Sequence, residues 1–252
     1  DTAESVPPGG RVGILGAGQL GRMLAMAGAR MGLRVRLIDP GFDPPGGHVA
    51  STMQADWDDE QALRGFARTV DVVTLEFENV PQIAMRTIEP LVPVYPSSRV
   101  LKMAQDRYEE KTFLNAIGIE TAEFAPISTI DHLADSLAFF DGPAILKTRR
   151  MGYDGKGQLR VNGLEEAGKA LATFKGKGLI VEKVVPFETE LSVIVARGRD
   201  GEIRAYDPVE NTHEDGILRR SMVPATVSAE VAADAVEIAG KIIGRSGHVG
   251  VM

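Results

Sequence analysis

Apolar positions along this chain recur with two periods, and the switches between them mark its elements. A short apolar run is followed by Leu20, Met23, Leu24, Ala27 and Met31 at helical spacing, which predicts a strand over 11–15 and a helix over 19–31 ended by Gly32. The pattern continues with a strand over 34–39, a helix near 58–69, a strand in "DVVTLEF", a helix with Pro81 near its first turn, and a strand in "VPVYP". Strand–helix steps at this spacing predict an α/β domain with a doubly wound parallel sheet. Two helical segments follow in "PSSRVLKMAQDRYEEKTFLNAIGI", the second starting near Asp106 and stopping at Gly118.

The period then changes. Strands in "EFAPI", "PAILKT", "GQLRVN" and "GLIVEKVV", with helices over 130–140 and 163–174 between them, predict an α+β module built on an antiparallel sheet. Two long strands, "ETELSVIVARG" and "EIRAYDPVEN", meet at Asp200-Gly201, a hairpin signal. In "SAEVAADAVEIAGKIIGRSG" the stripe Val231, Ala235, Ile238, Ala239 and Ile242 predicts a long helix, with Lys241 and Arg245 near its negative end. "HVGVM" reads as a strand that is still running where the sequence stops.

Composition narrows the classes. The 252 residues, 44% hydrophobic and 25% charged, suit a globular chain long enough for two cores. With 28 basic against 35 acidic side chains and no basic run, nucleic acid is not an expected partner. The absence of cysteine removes disulfides, thiolate metal sites and a cysteine nucleophile. Apolar runs are strand-sized, so no spanning helix and no membrane partner are expected. The opening "DTAESVPPGG" lacks the basic start and apolar stretch of a secretory signal and reads as a frayed or appended terminus, so a cytoplasmic setting is expected.

Candidate chemistry sits in four places. In "VGILGAGQLGRM", Gly16, Gly18 and Gly21 form a GxGxxG turn between strand and helix, where free N–H groups and the helix dipole suit an anion. Asp39 stands at about the distance expected for a ribose-binding acid in a dinucleotide fold. A dinucleotide and another phosphorylated ligand both remain open there. Glu76 and Glu78 end the strand of "TLEFENV", on the side of an open parallel sheet where ligands bind.

In "LKTRRMGYDGKGQLRV", Gly152, Gly155 and Gly157 suit a loop laid over a polyphosphate, carrying Tyr153, Asp154 and Lys156, with Lys147 on the strand leading in; a solvated hairpin is the plainer alternative. "VEKVV" followed by Glu190 suits a cleft edge on which an adenine lies against Val184 and Val185, or else a buried strand entering a turn. His213, between acids in "ENTHEDGIL", has no metal-ligand spacing around it.

Taken in order, "GILGAGQLGRM", "LEFENV", "KTRRMGYDGKGQ", "VEKVVPFETELSVIVAR" and "NTHEDGILRRS" resemble the N5-carboxyaminoimidazole ribonucleotide synthetases, ATP-grasp enzymes of purine biosynthesis. The resemblance covers residues 11–252. It implies a pre-ATP-grasp domain over 11–98 and an ATP-grasp domain over 99–252, with a lid at about 120–186 and the C-terminal half incomplete. The implied reaction joins bicarbonate to 5-aminoimidazole ribonucleotide at the expense of ATP, in a homodimer.

The resemblance assigns ATP to Arg107, Lys147, Gly152, Tyr153, Asp154, Gly155, Lys156, Gly157, Gln158, Glu182, Lys183, Val184, Val185, Glu190 and His213. Gly18, Gln19, Leu20 and Glu76 are assigned to the ribonucleotide, and Tyr153, Asp154 and Lys156 to catalysis. Magnesium is implied, with its acidic ligands expected beyond Met252, so the chain is expected to be inactive if it ends there. Met151 stands where many relatives carry another glycine. Another ATP-grasp ligase, an NAD(P)-dependent oxidoreductase and a non-catalytic nucleotide-binding module are the rival readings.

Overall fold

In the computed structural model, which describes residues 5–152, 156–214 and 216–252, β1 (Arg11–Leu15) is buried over its last three residues, as suits a central parallel strand covered on both faces. It leads into α1 (Gln19–Arg30), then β2 (Arg34–Asp39), β3 (Ser51–Gln54), α2 (Glu60–Ala67), β4 (Val72–Leu75) and α3 (Gln82–Ile88). The strands form a parallel sheet in the order β3-β2-β1-β4, with Ile14 opposite Leu37 on one side and Thr74 on the other. Leu15, Ile38, Leu63, Phe66, Val73, Met85 and Ile88 form its core. The side chain of Asp59 caps α2 by accepting from the Ala62 amide at 2.9 Å.

The predicted doubly wound parallel sheet is therefore present, with three differences in detail. β3 carries no strong apolar signal and was not anticipated. "VPVYP" supplies only an isolated bridge, Val94 to Val73. The third concerns α1: Leu20, Met23, Leu24 and Met31 are exposed, whereas Gly21, Ala25 and Gly28 are buried. A Cβ on Gly28 would stand 2.8 Å from Val35 Cγ2, so this helix approaches the sheet through its smallest residues, which a reading of large apolar side chains does not register.

The chain continues through α4 (Ser98–Ala104), α5 (Arg107–Ala116), β5 (Phe124–Ile127), α6 (Ile130–Phe140), β6 (Ala144–Thr148), β7 (Gln158–Val161), α7 (Leu164–Thr173) and β8 (Leu179–Lys183). β5-β8-β6-β7 form an antiparallel sheet, the predicted α+β module, with α6 against β5 and β8 and α7 against β7. Leu133, Phe140, Leu146, Val161, Phe174 and Val181 are buried between helices and sheet.

The remaining elements are β9 (Glu190–Ser192), β10 (Val195–Arg197), β11 (Ile203–Ala205), β12 (Val209–Glu214), β13 (Ile217–Met222), α8 (Ala229–Ser246) and β14 (Gly250–Val251). Neither predicted long strand is continuous. β9 joins the antiparallel sheet β13-β12-β9, while β10 pairs with β14, because a strand that serves two sheets must break between them. The turn at Gly201, with φ +90°, is present as expected. β13 was not anticipated. On α8 the fully buried residue is Ile243, while Val231 and Ile238 of the predicted stripe are exposed.

The chain divides into two compact units. One comprises the residues up to Lys102 with Ala196–Glu202 and Ser246–Met252, and the other Met103–Val195 with Ile203–Arg245.

In the first unit, buried His248 donates from Nε2 to the Val251 carbonyl at 3.0 Å, and its Nδ1 has no partner among the described residues. Burial pushes the His248 pKa down; the Val251 carbonyl opposes this, and the charge of Arg197 adds to it. The fold therefore favours neutral imidazole. The unfolded chain takes up the proton at the ordinary value near 6.5, so stability falls as pH drops below that value until the folded pKa is passed. We expect the urea midpoint to decline between about pH 7 and pH 5.5, and the decline to be shallower in His248→Gln; equal slopes would remove His248 as the source.

Candidate active site

The first unit supplies a turn and an acid. Gly16 adopts φ +102° and donates to the Ile38 carbonyl at 2.9 Å, which turns the chain out of β1. Glu76 immediately follows β4, and its carboxylate accepts from the Gly18 amide at 2.7 Å and from the Gly21 amide. A Cβ on Gly18 or Gly21 would stand 2.8 Å from a carboxylate oxygen of Glu76, so all three glycines make room for this side chain.

The anion-binding corner read from GxGxxG is thus occupied by the chain's own carboxylate. Asp39 is also engaged, accepting from the Ala17 amide at 2.9 Å and the Gly41 amide at 2.7 Å. A dinucleotide would need this corner for its pyrophosphate, and Glu76 already fills it. Gln19 and Leu20 are exposed at the start of α1.

The second unit supplies cations on a sheet face. In β6, Ala144, Leu146 and Thr148 are buried, which leaves Ile145 and Lys147 on the opposite face. Glu182 of β8 lies opposite Ile145, so it shares that face. Lys147 Nζ lies 2.9 Å from Glu182 Oε2, and Lys111 Nζ reaches the same oxygen from α5 at 3.5 Å. Lys111 went unnoticed in the sequence. Its signal was its place four residues after Arg107, on the same helical face.

Arg107 holds the entry to the glycine loop. Its guanidinium donates to the carbonyls of Thr148 at 3.0 Å and Gly152 at 3.2 Å. A Cβ on Gly152 would stand 2.9 Å from both terminal guanidinium nitrogens, which accounts for glycine there. The Thr148 amide donates to the Gly157 carbonyl at 2.8 Å and closes the loop's base, with Gln158 paired opposite Lys147. Met151 takes φ +61°, in the left-handed region that glycine enters more readily than a residue with a Cβ. Tyr153, Asp154 and Gly155 lie outside the described residues; Lys156 is exposed.

Asp106 caps α5 through the Tyr108 amide and takes Arg149 Nε at 2.8 Å and Arg150 Nε at 3.5 Å. Burial alone would raise its pKa, but the hydrogen bond and charge of Arg149, with the amides of Tyr108 and Glu109, outweigh burial and hold the carboxyl below the usual aspartate range. The loop is therefore anchored to the start of α5 at two points.

The remaining nucleotide-side residues are placed unevenly. Lys183 pairs with Glu123 at 3.0 Å, so its ammonium is engaged away from Glu182. The Val184 amide donates to the Pro143 carbonyl, and the Val185 side chain is exposed. Glu190 and His213, on the paired strands β9 and β12, approach to 3.3 Å between Oε1 and Nδ1, beside a register shift at Thr212/His213. A cavity of about 730 Å3 lined by Tyr108, Glu123, Phe124, Asp135 and Phe139 includes none of the residues assigned to ATP.

Comparison with known proteins follows this geometry. The ATP-grasp domain family matches residues 112–252, and the ribonucleotide synthetase preATP-grasp domain matches residues 10–105. A parallel-sheet unit joined to an antiparallel module with lysines on its open face is thus an ATP-grasp arrangement.

The N5-carboxyaminoimidazole ribonucleotide synthase of Brucella melitensis is 43% identical over 251 residues, 98% of this chain and 69% of the relative. The crystal structure of an ADP complex of N5-carboxyaminoimidazole ribonucleotide synthetase matches with a TM-score of 0.94 at 34% identity, covering 99% of this chain and 67% of that one. The Aspergillus clavatus enzyme in complex with ADP and 5-aminoimidazole ribonucleotide matches with a TM-score of 0.87 at 30% identity, over 96% of this chain and 64% of that one. The chain belongs to the N5-carboxyaminoimidazole ribonucleotide synthase family. It spans about two thirds of the length of these relatives.

Proposed function

We propose that the protein performs the reaction for which its family is named: ATP, bicarbonate and 5-aminoimidazole ribonucleotide give N5-carboxyaminoimidazole ribonucleotide, ADP and phosphate. The observation that carries this reading is the paired lysines on Glu182 beside the anchored glycine loop, a cationic face suited to a triphosphate.

A bicarbonate oxygen attacks the γ-phosphorus; the new P–O bond forms as the bond to the β-phosphate oxygen breaks, giving carboxyphosphate and ADP. Lys147 and the loop amides neutralise charge on the transferring group. The exocyclic amine of the ribonucleotide then attacks the carboxyl carbon, phosphate leaves, and the amine proton passes to it. In this reading, Arg107 fixes the loop, Glu182 to Val185 receive the adenine, and Glu190 and His213 receive the ribose. Lys156 holds carboxylate oxygens, Asp154 orients the amine, and Tyr153 lies between the nucleotides.

On the ribonucleotide side, Gly18, Gln19, Leu20 and Glu76 form the receiving surface. Each Glu76 oxygen that accepts from a glycine amide keeps a lone pair for a substrate N–H or O–H. Magnesium belongs to the family reading, but among the described residues no three His, Cys, Asp or Glu side chains could hold a metal ion. The described residues form no such all-protein metal site. Among the described residues no helix is long and apolar enough to cross a membrane. A cytoplasmic homodimer completes the reading, with sedimentation as its check.

The test is calorimetry together with product analysis. ATP should bind, and ADP should be released only with both bicarbonate and 5-aminoimidazole ribonucleotide. Release driven by a different amine would reassign the acceptor, and heat from NAD or NADP without heat from ATP would overturn the reading.

A further inference from the structure

Glu182 is a carboxylate with one oxygen serving two ammonium groups. Its side chain is 9% exposed, and Oε2 takes Lys147 at 2.9 Å and Lys111 at 3.5 Å. Proximity alone suggests that Lys147 is the preferred partner and Lys111 a spare. The two lysines differ in how they are held. Lys111 projects from α5 and lies over the Phe124 ring at 5.6 Å, which keeps its ammonium beside the sheet. Lys147 stands on the open face of β6, and the proposed function has it turn to a phosphate.

A lysine cannot serve Glu182 and a triphosphate equally well. When Lys147 turns to a phosphate, a largely buried carboxylate would be left without a counter-ion, and that loss would oppose ATP binding. We propose that Lys111 is a positioning residue for ATP: it keeps Glu182 neutralised when Lys147 transfers to the nucleotide, so the transfer strands no buried charge. Lys111 need not touch the nucleotide to do this. The inference rests on the reading that Lys147 binds ATP.

The experiment is a double-mutant cycle on the protein, with ATP affinity measured by calorimetry. Lys111→Met should weaken ATP binding by about tenfold or more, because Lys147 is then held on Glu182. Lys111→Arg should bind ATP within about threefold of the parent, since a guanidinium also reaches the carboxylate. In a Glu182→Gln background, where no charge is left to neutralise, Lys111→Met should change affinity little. A purely structural lysine would weaken binding by the same factor in both backgrounds.

Parent-like ATP affinity in Lys111→Met overturns the proposal, as does an undiminished effect in the Glu182→Gln background. Failure of the function reading is separately visible: the parent protein would then not bind ATP, or Lys147→Met would bind it unchanged.

Discussion

Lys147→Met lowers kcat/KM for the carboxylation by about a hundredfold or more, with ATP affinity reduced and 5-aminoimidazole ribonucleotide affinity unchanged. The magnitude is that of removing one preorganised charge or donor from a centre where negative charge develops, typically on the order of 10² to 10³ in turnover. The side chain stands on the open face of β6, and of the two lysines on Glu182 Oε2 it is the nearer. The fold should survive the change, because Glu182 keeps Lys111 as a partner and the buried side of β6 is untouched. Steady-state rates with each substrate varied, alongside a thermal melt, separate the two effects. A turnover within about threefold of the parent would remove Lys147 from the chemistry, that being less than 1.36 kcal/mol of barrier.

Gly16→Ala carries the largest expected stability effect. Its backbone sits at φ +102°, where any Cβ is strained, and the added carbon would stand 2.7 Å from Glu76 Oε1 and 2.8 Å from its carboxyl carbon. That carboxylate cannot withdraw cheaply, because it satisfies the Gly18 and Gly21 amides at the start of α1. We expect a loss of about 2–4 kcal/mol from backbone strain plus a disturbed, half-buried acceptor, read as a lowered urea midpoint. Gly32→Ala is the comparison: φ is +74°, but the nearest atom to its Cβ is Pro8 Cβ at 3.4 Å, so only the backbone contribution of about 1 kcal/mol is expected there. Equal losses at the two positions would show that Glu76 exerts no steric demand on the turn.

These two residues also show how much was legible beforehand. Lys147 was identifiable as the lysine at the end of a strand that leads into a glycine-rich loop. Gly16 was identifiable as a turn glycine, but the pattern suggested an external anion in the corner, and the structure puts Glu76 there instead. The two residues are far apart in sequence, and only the parallel pairing of β1 with β4 brings Glu76 to the turn. Lys111 was missed for the same reason: an isolated lysine on an amphipathic helix looks solvated until β8 is placed beside it. The apolar stripe on α1 was real, yet it faces outward, because Gly21, Ala25 and Gly28 allow the closer approach.

Taken alone, the sequence determined what local chemistry controls: the strand and helix periods, the turn glycines, the change from a parallel to an antiparallel region, and the ordered motifs that mark the family. These depend on residues a few positions apart, where backbone sterics and side-chain periodicity act directly. Only the tertiary structure decided which charged groups meet. Glu76 on the glycine amides, Lys111 and Lys147 on one oxygen of Glu182, and the division of one predicted strand between two sheets all depend on long-range pairing. Electrostatic and hydrogen-bond energies fall off with distance in space, and spacing along the chain does not report that distance.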